Sequence, residues 1–190
     1  MIILLIPARL LHAGIYSGGS GTSEDPYQIA NLNDLQELST TSADWGMYFE
    51  QTASIDASGT SGWWGGTGFS PIGNFITSFT GTYDGNSHPI TNMYIYRPNE
   101  NQPQGLFGYT ENATLISINN ESVSITGYNT VAAIVGYAYS TNISFCYSSG
   151  NVSGEDYIGG IAGENMDGMV EHCTSDCNVT AATTSSERVG

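Results

Sequence analysis

The sequence predicts an all-β fold: a right-handed parallel β-helix, or solenoid, of about 28 residues per coil, opened by a short N-terminal capping helix. Three observations carry that reading. A small-residue phrase recurs at nearly constant spacing. Each cycle holds three short runs of β character separated by Gly, Asn, Asp or Ser. No run places apolar residues at the i, i+3, i+4, i+7 spacing of a helix, which longer helical repeats would show.

The repeat occupies residues 105–190. Its first phrase is Gly105-Leu106-Phe107-Gly108, then Ala133-Ile134-Val135-Gly136, then Gly160-Ile161-Ala162-Gly163, with starts 28 and 27 residues apart. Downstream, Leu115 matches Ile143 and Val170, and Ile118 matches Cys146 and Cys173. A third phrase runs Ser122-Val123-Ser124, Asn151-Val152-Ser153 and Asn178-Val179-Thr180. Coils of a β-helix stack about 4.8 Å apart, so equivalent positions touch. Leu115, Ile143 and Val170 therefore predict one buried column, and Ile118, Cys146 and Cys173 another. The glycines suit corners of positive φ or close backbone approach. Val131, Ile158 and Val189 open successive cycles, and the chain stops at Gly190 inside a fourth. That stop reads as a fragment whose last coil is open to end-to-end association.

Residues 14–104 read as an N-terminal cap followed by irregular coils. Leu32, Leu35 and Leu38 fall on one face of a short helix suited to covering the first coil. Tyr48 to Asp56 reads as the first rung. Phe79 to Asn86 reads as a strand entering a tight turn, and Ile90 to Tyr96 as the next strand. Residues 1–13 are apolar but too short to span a bilayer, and read as the remnant of a secretory signal peptide ending at Ala13.

Charge excludes several partners. The chain has 18 acidic residues against 3 basic ones, Arg9, Arg97 and Arg188, for a net charge of −15. Phosphate backbones need clustered Lys and Arg, so nucleic acid is excluded as a partner, and anionic lipid is disfavoured for the same reason. An acidic surface of this kind keeps an extracellular protein soluble and can hold Ca²⁺ loosely, with no other cofactor implied. Cys146, Cys173 and Cys177 are too few for a disulfide framework, and with His172 alone nearby they lack the ligands of a zinc site. They read as free thiols.

Several phrases together resemble a known family. Gly21-Thr22 with Asp25-Pro26-Tyr27, Asp34-Leu35 to Leu38, Ile55-Asp56, Pro71-Ile72-Gly73-Asn74, Phe79 to Asn86 with His88, Gly105 to Gly108, and Cys146-Tyr147-Ser148 occur in order across residues 17–190. The chain resembles bacterial cell-surface proteins with GLUG-motif repeats. That resemblance implies a secreted or surface-anchored protein of adhesin type, a structural or adhesive module facing extracellular glycans or host and matrix proteins. Some longer relatives carry a metallopeptidase domain, but no His-Glu-x-x-His occurs here. Ala132-Ala133 depart from the family's glycines and loosen one corner.

Catalysis finds little support in the residues. A β-elimination lyase needs a base and cations facing the substrate carboxylate, and only Arg97 and Arg188 lie beyond the leader. Hydrolysis needs paired carboxylates. Asp56, Asp84, Asp156, Asp167 and Asp176 all sit in Gly/Asn/Ser contexts that read as turns. The competing reading is an N-terminal piece of a β-helix lyase or hydrolase, or of a surface peptidase. His88 reads as part of a turn and His172 as an outward, solvated side chain. Trp63 and Trp64, on the glycine-rich loop Ser61 to Gly66, are the candidates for sugar contact, because a flat apolar ring suits the C–H face of a sugar. Alternatively, one of them covers the core beside Phe69 and Ile72.

Overall fold

The computed structural model describes residues 14–181; the predicted leader, Val189 and the chain's last residues lie outside them. Within these bounds the chain is a parallel β-solenoid. One sheet stacks six strands: Tyr27–Ile29, Tyr48–Gln51, Thr82–Asp84, Thr114–Ile116, Asn142–Ser144 and Met169–Glu171. A second stacks Ile55–Asp56, Pro89–Thr91, Asn119–Thr126, Tyr147–Gly154 and Thr174–Ala181, with Tyr94–Tyr96 also pairing on Asn119–Thr126. Phe107–Glu111, Val135–Tyr139 and Ala162–Met166 form a third, and Asn129–Ala132 pairs with Asp156–Gly159. These strand pairs are parallel.

The repeat spacing is realised as register. Val135 pairs with Phe107 on one side and Ala162 on the other. Ile143 pairs with Leu115 and Val170. Leu106, Phe107, Leu115, Ile118, Ile134 and Ile143 are fully buried, and Cys146 nearly so. Alternating exposure along Phe107–Glu111 and Val135–Tyr139 follows from the two-residue period of a strand.

Val170 corrects one expectation. It keeps its place in the column but is 42% exposed, because Met169–Glu171 is the end strand of its sheet among the described residues. Ile161, Ala162 and Cys173 are likewise only half-buried.

The third phrase slips. Val152 pairs with Val179 as expected, but on the other side with Ile125 rather than Val123. The register shifts between Ser148 and Gly150, because the facing strand carries an extra residue at Ser122, which sits at φ 54°. The bulge converts a 28-residue offset into a 27-residue one. Gly150 meets it at φ 121°, where an added Cβ would lie 2.3 Å from the backbone of Val123.

The structure decides between the two roles expected of the repeat glycines, positive φ and close backbone approach. Equivalent positive-φ positions are held by Asn112, Ser140 and Asp167, and by Ser117, Phe145 and His172, not by glycine. The repeat glycines serve close approach instead. A Cβ on Gly108, Gly136 or Gly163 would stand 2.4 to 2.6 Å from a backbone oxygen of a neighbouring segment. Ala132 and Ala133 are accommodated with full burial.

At the N-terminal end the helix spans Leu32–Thr40. Asn31 caps it, its Oδ1 accepting from the N–H groups of Asn33 and Asp34 at 2.9 and 3.2 Å. Leu35 and Leu38 are fully buried, and the Trp45 indole donates to the Leu38 carbonyl at 2.7 Å, holding the helix end on the first coil. The first rung starts earlier than predicted, at Tyr27–Ile29, whose pairing with Tyr48–Gln51 the short run hides. The predicted strand Ile90 to Tyr96 is two strands, broken at Asn92, which turns through φ 62°. Phe49, Phe79, Tyr83 and Phe107 then fill the axis, with Phe79 and Phe107 centroids 4.9 Å apart.

Candidate functional site

The two candidate tryptophans separate. Both lie in the segment Ser58–Gly66, whose 3-10 turns are interrupted at Trp63 (ψ 148°) and Trp64 (φ 50°). The extended backbone at Trp63 turns its ring toward buried Phe69, 6.4 Å between centroids, so Trp63 covers the core. Trp64 is thrown outward and is 57% exposed. The loop is anchored at its base by Thr60, whose buried hydroxyl donates to the Ala57 carbonyl at 2.7 Å and accepts from the Tyr94 N–H at 3.0 Å.

Trp64 walls a cleft of about 500 Å³ shared with Trp45, Thr67, Ser70, Asn74 and Arg97. A second cleft of about 310 Å³ adjoins it through the same Ser70, Asn74 and Arg97, and continues past Ile76, Gln102 and Gln104. Arg97 is the one Lys or Arg among the described residues. Its Nη1 donates to both carboxylate oxygens of Glu100 at 2.8 and 3.0 Å, so the cleft carries a neutralised pair, not a free cation. The buried Nε of Arg97 and the buried Oε1 of Gln104 have no hydrogen-bond partner in the protein. An unpaired buried polar atom costs about 1–3 kcal/mol.

Beside the clefts runs a strip of aromatic rings. Tyr109 and Tyr137 pair in register on the outer face of the three-stranded sheet, with centroids 5.1 Å apart. Phe75 lies 5.8 Å from Tyr109 and 6.3 Å from Tyr137, and is itself 52% exposed. Ile76, next in the chain, is 92% exposed. The loop is held by its own polar groups. Asn74 Oδ1 accepts from the N–H groups of Ile76 and Thr77 at 2.9 and 3.1 Å, and Phe75 N–H donates to Gln102 Oε1 at 3.1 Å. Partial burial and the nearby carboxylate of Glu111 raise the Tyr109 phenol above its ordinary range; burial and Glu164 do the same for Tyr137. Both stay neutral hydrogen-bonding groups.

The sequence reading missed this strip, although a signal for it existed. Tyr109 and Tyr137 each follow the last glycine of a repeat phrase, and the third phrase puts Glu164 there. Extending the alignment by one residue finds the column. The clefts had no such signal, since they are assembled from loops distant in the chain.

Other candidates resolve individually. Asp56 accepts from Ser58 N–H at 3.0 Å and Asn92 Nδ2 at 3.1 Å, and Asp84 accepts from Asn86 N–H at 2.9 Å, both stabilising turns as expected. Asp167 occupies a corner at φ 56°. Asp156 and Asp176 lie in strands, not turns; Asp176 accepts from the Tyr147 hydroxyl at 2.9 Å. His88 closes a turn by donating its N–H to the Gly85 carbonyl at 2.9 Å. His172 is not simply solvated: it stacks on exposed Phe145 with centroids 4.9 Å apart and planes 12° from parallel. The equivalent corner positions of successive coils bring the two rings together.

Cys146, Cys173 and Cys177 are free thiols. Cys146 N–H donates toward Cys173 Sγ at 3.4 Å, and burial pushes the Cys146 thiol up to about 12. Among the described residues no three His, Cys, Asp or Glu side chains converge as a metal-ligand set. Among the same residues no helix is long and apolar enough to cross a membrane.

The family model described as the GLUG motif matches residues 154–183, the stretch that holds the third glycine phrase. The chain is 41% identical over 156 residues to "Halomucin" of Haloquadratum walsbyi, an alignment covering 80% of this chain and 2% of that protein. It is 30% identical over 131 residues to "Putative Gly-rich membrane protein" of Evansella cellulosilytica, covering 67% of this chain and 15% of that protein. The chain therefore spans a small part of the length of either relative. No solved structure matches it. The resemblance read from the sequence is borne out: the chain carries a GLUG motif within a repeat-built solenoid.

Proposed function

We propose that the chain is an extracellular structural and adhesive repeat module of a surface protein, presenting a binding surface rather than catalysing a reaction. The observation that carries this reading is the in-register stacking of coils at 27 and 28 residues, one of which matches the GLUG motif. A solenoid of this kind extends by repetition and displays the outer faces of its sheets. The names of the relatives, Halomucin and a Gly-rich membrane protein, support a place at the cell surface for those longer proteins. Extracellular glycans and host or matrix proteins are the partners this reading proposes, and the acidic surface leaves room for loosely held Ca²⁺.

Two measurements test it. Protease added to intact cells of the source should degrade the parent protein, and protection of the protein until lysis would contradict a surface role. The purified chain should release no reducing ends or unsaturated products from polysaccharides, with or without Ca²⁺. Release that disappears on replacing one aspartate would move the protein to the carbohydrate-active class.

A further inference from the structure

We propose that the cleft walled by Trp64 and Arg97, together with the adjoining strip of Phe75, Tyr109 and Tyr137, binds a neutral, hydroxyl-rich polysaccharide laid across the coils. The inference rests on the reading of the chain as a module that presents a binding surface, and it names the ligand class for that surface.

Geometry supplies the first argument. Phe75, Tyr109 and Tyr137 form a cluster of rings with centroids 5.1 to 6.3 Å apart, and Trp64 stands exposed at the wall of the neighbouring cleft. Pyranose rings present apolar C–H faces that pack on aromatic rings, and successive rings of a glycan ask for successive platforms. Beside the rings lie the polar side chains of Ser70, Asn74 and Gln102 that line the cleft.

The polar groups supply the second. Ser70, Asn74 and Gln102 line one cleft with a hydroxyl and two amides. Such groups both donate and accept, as a sugar hydroxyl does. Carboxylates are at hand as further acceptors: Glu111 acts on the Tyr109 phenol and Glu164 on Tyr137.

Charge decides between neutral and acidic glycans. Uronates or sulfates would need an unpaired cation, and Arg97 is already held by both oxygens of Glu100. With Glu111 and Glu164 beside the strip and a net charge of −15, an anionic chain is repelled. The platform is also set before the ligand arrives, since Asn74 pins its own loop and Gln102 holds Phe75. Preorganisation of this kind lowers the ordering cost of binding.

The test is calorimetric titration of the whole chain with cellohexaose, xylohexaose and mannohexaose, and with oligogalacturonate as the acidic counterpart. At least one neutral oligosaccharide should bind, and more tightly than oligogalacturonate. Trp64→Ala and Tyr137→Ala should each weaken that binding about tenfold, while Tyr137→Phe keeps the ring and the affinity. Unchanged thermal unfolding of the variants shows that their folds are intact. Binding by no neutral saccharide, tighter binding of the acidic one, or ring variants that bind like the parent would each overturn the proposal. A chain that binds no saccharide but binds immobilised collagen or fibronectin overturns this inference and leaves the adhesive reading standing. Binding to neither class overturns both.

Discussion

Residues 14–104 and residues 105–181 build the same kind of coil by different means. In the second region the columns repeat, with Leu115, Ile143 and Val170 stacked in register and a glycine of each phrase letting backbones approach. In the first region the paired positions keep no constant spacing, and large rings fill the axis: Phe49, Phe79 and Tyr83, meeting Phe107 at the junction. Its strands are shorter, and longer loops run between them. Those loops carry Trp64, Asn74 and Arg97 and make the clefts. Regularity thus supplies stacking, and the departures from regularity open the clefts.

The junction is where the comparison breaks most readily. Phe107 is fully buried against Phe79 at 4.9 Å and Tyr83 at 5.5 Å, so it belongs to both regions. Phe107→Ala is expected to cost about 3–5 kcal/mol in urea unfolding and to lower protection on both sides of the junction. Ile143→Ala, deep in a regular column, should cost about 2–5 kcal/mol by the same assay. A loss below about 1 kcal/mol at either site would mean that the columns are not close-packed.

Glycines sharpen the contrast. A Cβ on Gly136 would lie 2.6 Å from the Thr130 carbonyl oxygen and 2.7 Å from the Gln104 nitrogen, so Gly136→Ala should destabilise by about 1–3 kcal/mol. Gly62, in the Trp loop, has nothing within 4 Å of the equivalent point. Gly62→Ala should change stability by about 0.5 kcal/mol or less. Equal costs at the two sites would erase the distinction between stacked coil and loop.

Cys146 gives a pH-dependent test of the regular region. Its thiol is raised from 9.0 to about 12, chiefly by burial, so the folded state favours the protonated form. That contribution is complete below pH 9.0 and is lost as pH climbs toward 12. Unfolding midpoints should fall over this window, and Cys146→Ser or Cys146→Ala should flatten the fall. Cys173 and Cys177, only partly buried, should be alkylated before Cys146. The smallest effect is expected at Trp64: Trp64→Ala leaves the core untouched and should move stability by about 0.5 kcal/mol or less.

How much of this was legible follows the same division. The columns, the 27- and 28-residue offsets and the helix with Leu35 and Leu38 inward could all be read from spacing, because stacking repeats residue by residue. The slip at Ser122 could not, since a bulge changes pairing without changing the look of the phrase. Nor could the positive-φ corners at Phe145 and His172, where tertiary packing overrides local preference and stacks two rings. Of the two tryptophans, the sequence offered both as sugar contacts or one as a core cover. The kink between them decided the matter, sending Trp63 inward and Trp64 outward. The placement of Arg97 and Gln104 on one cleft depended on which loops meet, which no local pattern encodes.

The most direct measurement is hydrogen exchange resolved by residue on the whole chain, with and without saturating neutral oligosaccharide. Amides of Thr114–Ile116 and Asn142–Ser144 should exchange slowest and stay unchanged on ligand addition. Amides in residues 63–76 and 97–104 should exchange faster in the free chain and gain protection when ligand is present. Slow exchange confined to the loops, or ligand protection that falls on the buried columns, would contradict the separation of stacking from recognition on which the account stands.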